Sequence, residues 1–120
     1  MKLIKVIPKI FYSNIKDGLD LFIEVLGFEV KYSEPEPVFY IIDRDGVTIS
    51  LVEDDEYAQK DRPEIRIATD DIDTLYNELA AKEIKLFHPN LSRVKLQPWA
   101  LKEFALLDKS HVCVIIQQST

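Results

Sequence analysis

Hydrophobic and polar residues follow two different periods along the chain, and these periods occur in the same order twice. Residues 2–12 predict a strand, in which from Lys5 onward Val6, Pro8 and Ile10 face one way and Ile7, Lys9 and Phe11 the other. Across 14–26 the apolar side chains recur every three or four residues, which predicts one buried helix face. Three short apolar stretches then predict strands at 28–32, 38–43 and 47–52. The first half therefore has the predicted order β-α-β-β-β.

The second half repeats this order. An alternating strand is predicted at 63–69, a helix near 70–82, and closing strands at 101–107 and 112–117. Residues 87–98 contain two prolines and no clear period, so they predict an irregular loop or weak strand passing over the sheet. An internal repeat of this size indicates two copies of one supersecondary unit.

The repeat predicts an α+β domain built from tandem β-α-β-β-β modules that form one curved eight-stranded mixed sheet. Module one covers 1–54 and module two covers 63–120, and the two together are expected to form a single domain over 1–120. The strongly acidic stretch 55–62 between them is interpreted as a solvated surface linker. Two curved half-sheets side by side enclose a pocket, and function is expected there.

Composition and charge narrow the function. The 120 residues are 47% hydrophobic and 30% charged, which is ordinary globular composition. A net charge of −6, with no clustered basic residues, argues against a nucleic acid or an anionic membrane as the partner. Cys113 is the only cysteine, so no internal disulfide forms. Without a signal-peptide pattern or a membrane-length apolar run, a cytoplasmic location is expected.

Four stretches, in their order and spacing, resemble the vicinal-oxygen-chelate superfamily. This superfamily contains glyoxalase I, extradiol dioxygenases, fosfomycin-resistance enzymes and bleomycin-resistance proteins. The four stretches that carry the resemblance are 22–30, 45–47, 69–76 and 98–108. The last, with its tryptophan-led loop, most resembles the bleomycin-resistance branch. The chain departs from the superfamily at 108–112, where relatives have Asp-Pro-x-Gly-Asn and this chain lacks both the proline and the glycine.

The resemblance also implies four positions where enzymatic members bind a divalent metal. In this sequence they are occupied by Ile7, Ser50, Glu64 and Ile115. Aliphatic side chains cannot bind a metal and serine is a poor ligand, so no catalytic metal and no cofactor are predicted. The two histidines do not supply the missing ligands. His88 falls in the irregular loop and His111 in the closing turn, and packing is favoured over ligation for both.

Strand alternation places a set of side chains on the same face as these four positions. The expected ligand-binding residues are Ile7, Lys9, Phe11, Tyr40, Ser50, Glu64, Arg66, Trp99, Ile115 and Gln117. Of the adjacent Phe39 and Tyr40, only one can face the pocket, and Tyr40 is preferred.

Two of these assignments keep an alternative. Lys9, Glu64 and Arg66 either serve a ligand or pair with one another across strands. Trp99 either stacks on a planar ligand, as the resemblance implies, or is a core or dimer-interface aromatic. Cys113 is expected to be an inert packed thiol, because no neighbouring base would activate it.

The leading hypothesis is a metal-free protein that binds a small, partly aromatic molecule, such as an antibiotic of the bleomycin type. The resemblance implies a twofold homodimer with the pocket at its interface. The alternative is a glyoxalase-like lyase or isomerase, metal-independent or with an atypical metal site, in which Glu64 is the base and Lys9 or Arg66 steadies an oxyanion. A third possibility is a vestigial pocket in a pure interaction module.

Overall fold

The computed structural model describes residues 1–60 and 62–119. The chain divides into two compact units, unit 1 (Met1–Asp61) and unit 2 (Arg62–Thr120). Each unit holds one four-stranded sheet, so the eight expected strands are present as two sheets of four. That the two modules form a single domain stays a prediction.

Unit 1 follows the predicted order of elements. Its strands are β1 (Lys9–Tyr12), β2 (Glu29–Pro35), β3 (Val38–Arg44) and β4 (Val47–Glu53). They lie in the order β1-β4-β3-β2, with β1 parallel to β4 and the other pairs antiparallel. Its helices are α1 (Ile15–Leu19), which continues directly as a π-helical segment (Asp20–Val25), and α2 (Asp55–Lys60).

Unit 2 repeats the same topology. Its strands are β5 (Glu64–Ala68), β6 (Lys95–Leu96), β7 (Leu101–Leu107) and β8 (Cys113–Ser119), and its helix is α3 (Ile72–Ala81). The strand order is β5-β8-β7-β6, with β5 parallel to β8 and the other pairs antiparallel. In both units the first strand therefore pairs in parallel with the last, which confirms the internal repeat.

The core of unit 1 lies between its helical segment and one face of its sheet. Phe22 is fully buried, as are Ile42 and Leu51 on the sheet. Gly18 allows α1 to approach β1 closely, because a Cβ atom at this position would lie 2.5 Å from Cε2 of the buried Tyr12 ring. The helix is capped by Asn14, whose side chain accepts from the Lys16 amide.

The core of unit 2 has the same plan. Ile72 and Leu79 of α3 are fully buried, as is Phe104 of β7. Phe104 forms an aromatic cluster with Tyr76 and Phe87, whose ring centroids lie 5.2 and 6.1 Å from its own. Asp71 caps α3 by accepting from the Thr74 amide. These contacts cover one face of the sheet and leave the other for the site.

The closing turn holds its shape without the glycine and proline that relatives use. His111 adopts the left-handed conformation, with φ of 66°. The buried Asp108 carboxylate accepts from the backbone N–H groups of Ser110 and Val112, both at 2.9 Å. A side chain therefore satisfies the turn's donors, while histidine takes the backbone conformation that glycine usually supplies.

One strand boundary predicted from the sequence is wrong, because the first strand begins at Lys9 rather than at Lys2. Residues 1–8 form no strand except for one ladder bond, from the Ser50 amide to the Pro8 carbonyl at 2.9 Å, and Pro8 has no N–H to donate. The linker 55–62 contains α2, whose Tyr57 amide is capped by the Asp54 carboxylate. The segment 87–98 contains only the two-residue strand β6, in agreement with the predicted irregular loop or weak strand. Among the residues described, no helix is long and apolar enough to cross a membrane.

Candidate functional site

The strand register of the unit 2 sheet assigns each of its side chains to one of the two faces of the sheet. Arg66 of β5 lies beside Ile115 of β8, and Ile115 lies beside Ala105 of β7. Gln117 pairs with Glu103 in the next row along the same face. Laterally paired residues point to the same side of a sheet. The face opposite α3, called here the site face, therefore contains four predicted site residues, which are Glu64, Arg66, Ile115 and Gln117.

A cavity of about 240 Å³ lies on the site face. Its floor is made by the strands and its side by the segment between α3 and β7. The lining residues are Glu64, His88, Asn90, Leu91, Lys95, Gln97, Ala105, Cys113 and Ile115. Polar and apolar side chains line the cavity in similar number, so it offers both packing surface and hydrogen-bonding groups, and this volume suits a ring-sized fragment.

Backbone hydrogen bonds hold that segment against β7. The His88 amide donates to the Ala105 carbonyl and the Ala105 amide donates to the Leu91 carbonyl, both at 2.9 Å. The Gln97 amide donates to the Leu101 carbonyl at 2.8 Å. The cavity is thus bounded by paired backbone rather than by an unsupported loop.

Beside the cavity, two side chains meet at one carboxylate. Glu103 is only 1% exposed, and its Oε2 accepts from Nη1 of Arg66 at 2.6 Å and from Nε1 of Trp99 at 3.1 Å. The same Arg66 Nη1 lies 3.3 Å from Oε1 of Gln117. A buried carboxylate is stable only when paired and hydrogen-bonded, and this one is both.

Trp99 lies outside the core of unit 2. The residue is 57% exposed, although its indole N–H is bound to Glu103. It sits in a turn closed by the Ala100 amide, which donates to the Gln97 carbonyl at 3.0 Å. The expectation of a core aromatic is therefore wrong, while ligand stacking and a place at a dimer interface both stay open as predictions.

Of the alternative in which Lys9, Glu64 and Arg66 pair with one another, the Glu64–Arg66 ion pair is not formed among the described residues of unit 2. Arg66 pairs with Glu103 instead. Glu64 lines the cavity and makes no ion pair with the described residues of unit 2. Lys9 belongs to unit 1, where it pairs in register with Ser50. Glu64 is thus an exposed carboxylate at the cavity edge.

Two further residues that line the cavity are Cys113 and His88. Burial, followed by the negative charge of Glu64, raises the pKa of the Cys113 thiol, and Arg66 offsets this only partly. A thiol with a raised pKa stays protonated at neutral pH and is a poor nucleophile. His88 accepts the Asn90 amide at Nδ1, 3.1 Å away, which places the proton of the neutral ring on Nε2.

In unit 1 the corresponding face carries aromatic side chains. Phe11 and Phe39 flank Val52 in neighbouring strands. The ring of Tyr57 from α2 stacks on Phe11 with centroids 5.0 Å apart, and Tyr32 lies 5.8 Å from Phe39. This aromatic row crosses all four strands of the sheet.

The register corrects one predicted site residue of unit 1. Tyr40 pairs with the fully buried Leu51, so it lies on the helix-packed face. Its neighbour Ile41 pairs with Ser50, which places Phe39 on the same face as Ser50. Phe39 therefore replaces Tyr40. Ile7 lies in the N-terminal segment before β1 and is 51% exposed.

Sequence reasoning missed Glu103. The signal was present, since it is the only acidic residue in the apolar strand β7 and follows Trp99 by four positions. Its partner Arg66, however, comes from another strand, β5, and that contact was not visible from spacing.

Few of the described side chains near the site could bind a metal ion. Within residues 1–60 and 62–119, no group of three or more His, Cys, Asp or Glu side chains is arranged to hold a metal ion. Glu64 is the one strong ligand among the four positions implied by resemblance. The absence of a catalytic metal stays a prediction.

Comparison with known proteins gives matches only at the level of structure. No protein-family model matches the chain, and the search of curated proteins returns no match. A solved bleomycin-binding protein from Streptomyces verticillus, complexed with copper(II)-bleomycin, has a TM-score of 0.77 at 18% identity, covering 100% of this chain and 98% of that chain. The bleomycin resistance determinant of transposon Tn5 has a TM-score of 0.78 at 17% identity, covering 98% of each chain.

A third solved structure is also similar to this chain. A member of the glyoxalase/bleomycin resistance protein/dioxygenase superfamily from Sphaerobacter thermophilus has a TM-score of 0.70 at 20% identity, covering 98% of each chain. At these identities the likeness concerns the fold. It confirms the predicted fold class and the suspected resemblance at that level. The chain therefore has the tandem β-α-β-β-β fold of the glyoxalase/bleomycin-resistance/dioxygenase superfamily, in a form similar to that of bleomycin-binding proteins.

Proposed function

We propose that this protein binds and sequesters a small, partly aromatic molecule on the site face of unit 2, without a metal. The observation that carries the proposal is the state of Trp99. Its ring is largely exposed, yet its N–H is fixed to a buried carboxylate beside a cavity. An exposed indole that is already ordered offers stacking area at little cost in conformational entropy.

The cavity chemistry suits such a ligand. Leu91, Ala105 and Ile115 provide apolar contact, while Lys95 and Gln97 bring polar groups to the same space. A few polar groups in an apolar cleft fix a ligand's orientation. The volume of about 240 Å³ accommodates one ring system, and the remainder of a larger ligand would extend over Trp99.

The solved neighbours support the ligand class. One is complexed with copper(II)-bleomycin and another is a bleomycin resistance determinant. Carried to this chain, the proposal is that it holds an antibiotic-like molecule and so lowers its free concentration in the cytoplasm. The metal in such a complex would belong to the ligand rather than to this protein.

We further propose that the protein is a homodimer with the ligand site at its interface. The N-terminal segment supports this, because Leu3, Ile4 and Val6 are 95%, 90% and 86% exposed. Adjacent apolar side chains this exposed mark an interaction surface. A second copy of the chain is the partner that the resemblance implies.

A thermal-shift screen tests the binding proposal. The ligands are metal-free bleomycin, copper(II)-bleomycin and a panel of planar heteroaromatic compounds. A ligand that binds only the native state raises the melting temperature, and a ligand over Trp99 changes the fluorescence of this only tryptophan. Leu96→Ala, which removes another exposed apolar side chain of unit 2, is the matched control and should leave the response unchanged.

The screen has a contradicting result, and the metal claim has its own test. No rise in melting temperature with any compound at millimolar concentration would leave the pocket vestigial. Elemental analysis of the purified protein should find no stoichiometric zinc, nickel or iron. A stoichiometric metal that Glu64→Gln removes would show that the atypical metal site exists.

One observation favours the enzymatic alternative as a second candidate. Glu64 lines the cavity and makes no ion pair with the described residues of unit 2, and His88 lines the same cavity. Both side chains can move protons, so a metal-independent lyase or isomerase could use Glu64 as its base. Incubating each bound compound with the protein and analysing it by mass spectrometry and NMR separates the two functions. A binding protein returns the compound unchanged, whereas an enzyme converts it and loses this activity in Glu64→Gln.

A further inference from the structure

We propose that Glu103 is the positioning residue of the site, holding Trp99 and Arg66 in the arrangement that a ligand meets. The proposal deepens the proposed function and rests on it for its ligand. It also names a ligand class, a planar ring with a hydrogen-bond acceptor at its edge.

The geometry shows how one side chain orders two others. Oε2 of Glu103 accepts from both the guanidinium of Arg66 and the indole of Trp99, at 2.6 and 3.1 Å. Because the two donors meet the same oxygen, neither can swing away without changing the bond of the other. Glu103 itself cannot move far, since it is 1% exposed and lies in β7 between β6 and β8.

The exposures show which parts remain for a ligand. The side chain of Glu103 is 2% exposed and that of Arg66 is 43% exposed. A guanidinium has five N–H donors, and Nη1 is the one committed to Glu103 and Gln117. The exposed part of Arg66 can therefore donate to a ligand, close to the exposed ring of Trp99.

These two groups define the ligand class. The indole face takes a flat ring by stacking, and the guanidinium donates to a carbonyl, a carboxamide or a ring nitrogen on the edge of that ring. The Arg66–Glu103 pair is neutral as a unit, so this part of the site has no net charge with which to select an anion. A neutral acceptor fits it best.

The competing interpretation is a purely structural ion pair, and conservative variants separate the two. Glu103→Gln keeps the size and one acceptor oxygen but loses the charge. Glu103→Leu keeps the packing volume and loses every acceptor. Glu29→Gln is the matched control, because Glu29 forms an exposed ion pair with Lys31 in unit 1. Circular dichroism establishes that each variant is folded.

The first readout is the indole N–H signal of the ligand-free protein. A ¹H–¹⁵N spectrum has one indole cross-peak, because Trp99 is the only tryptophan. We expect this peak to move upfield in Glu103→Leu and less far in Glu103→Gln, since a charged acceptor makes the stronger bond. Fluorescence anisotropy should fall in the same order as the ring gains freedom. An unchanged peak and anisotropy in a folded Glu103→Leu would overturn the positioning role.

The second readout is the affinity for a probe, 2-naphthamide, with naphthalene as the ring that lacks an acceptor. The wild-type protein should bind 2-naphthamide more tightly than naphthalene. Glu103→Leu should weaken 2-naphthamide binding about tenfold or more and remove this preference, and Glu103→Gln should lie between. If Glu103→Leu shifts the indole peak while the wild type binds neither probe, the ligand class named here is overturned and the positioning of Trp99 stands. The proposed function itself fails only if the thermal-shift screen also finds no ligand. If the wild type binds both probes equally, the acceptor requirement is overturned.

Discussion

Replacing Trp99 with alanine should weaken ligand binding while costing the fold little more than one hydrogen bond. The structure supplies the reason, because 57% of the residue is exposed in the ligand-free protein. The exposed part is what a stacked ligand would cover. The covered part of the residue includes the indole N–H, which donates to the Glu103 carboxylate.

The magnitude follows from the area. A fully buried indole covers about 200 Å², so a ligand lying on one side of the exposed part covers roughly 60 Å². At about 25 cal/mol per Å², this area contributes about 1.5 kcal/mol to binding. We therefore expect Trp99→Ala to weaken binding by about 1–3 kcal/mol, in the range for an aromatic anchor, and the worked value of about 1.5 kcal/mol is about a tenfold change in Kd.

Isothermal titration calorimetry measures this change, since the mutant has no tryptophan fluorescence. The same variant should lose only about 1–2 kcal/mol of unfolding free energy, the cost of one hydrogen bond to a buried carboxylate. Trp99→Phe, which keeps a ring and loses the N–H, should recover part of the affinity. An unchanged Kd per folded protein, together with lower stability or loss of dimer, would remove Trp99 from the site and assign it to the interface.

Three other predictions concern stability and assembly. Phe104→Ala should lower the unfolding free energy by about 3–5 kcal/mol in urea denaturation, because the fully buried ring packs against two others. A hydrogen bond from the Thr48 hydroxyl holds the pKa of Asp43 below its usual value. The stability that this bond gives the fold is therefore complete above the unfolded pKa of about 4 and is lost as the pH falls through the lower folded value. Thr48→Val should flatten this part of the pH dependence of the urea midpoint, and an unaltered slope would contradict it. Light scattering at micromolar concentration should give a dimer mass that deletion of residues 1–7 reduces to the monomer mass, whereas a monomeric full-length chain would refute the proposed dimer.

Residue periods predicted α1 with its π-helical continuation, α3 and most of the strands, because each period reports a face that is buried within its own unit. Alternation likewise grouped Arg66, Ile115 and Gln117 correctly, since parity along one strand decides the face. The same argument could not choose between Phe39 and Tyr40. Both are aromatic and half-buried, so only the pairing of β3 with β4 decides which one shares the face of Ser50.

The features that the sequence did not predict depend on strand order and on local contacts that stabilise short elements. Glu103 reaches Arg66 across β8, a contact that exists only because β7 and β5 flank the same strand. The short helix α2 has no apolar period, and a side-chain cap and the Tyr57–Phe11 contact hold it instead. The first strand is short because pairing with β4 begins only beyond Pro8.

The measurement that tests the central claim most directly is a ¹H–¹⁵N titration of the labelled protein with metal-free bleomycin and with 2-naphthamide. We expect at least one of the two compounds to move the indole signal of Trp99 together with the amide signals of Arg66, Ile115 and Gln117. These shifts should saturate with a single Kd that agrees with calorimetry. Saturable shifts confined to residues outside the site face, or none with either compound at millimolar concentration, would contradict the claim that this face is a small-molecule site.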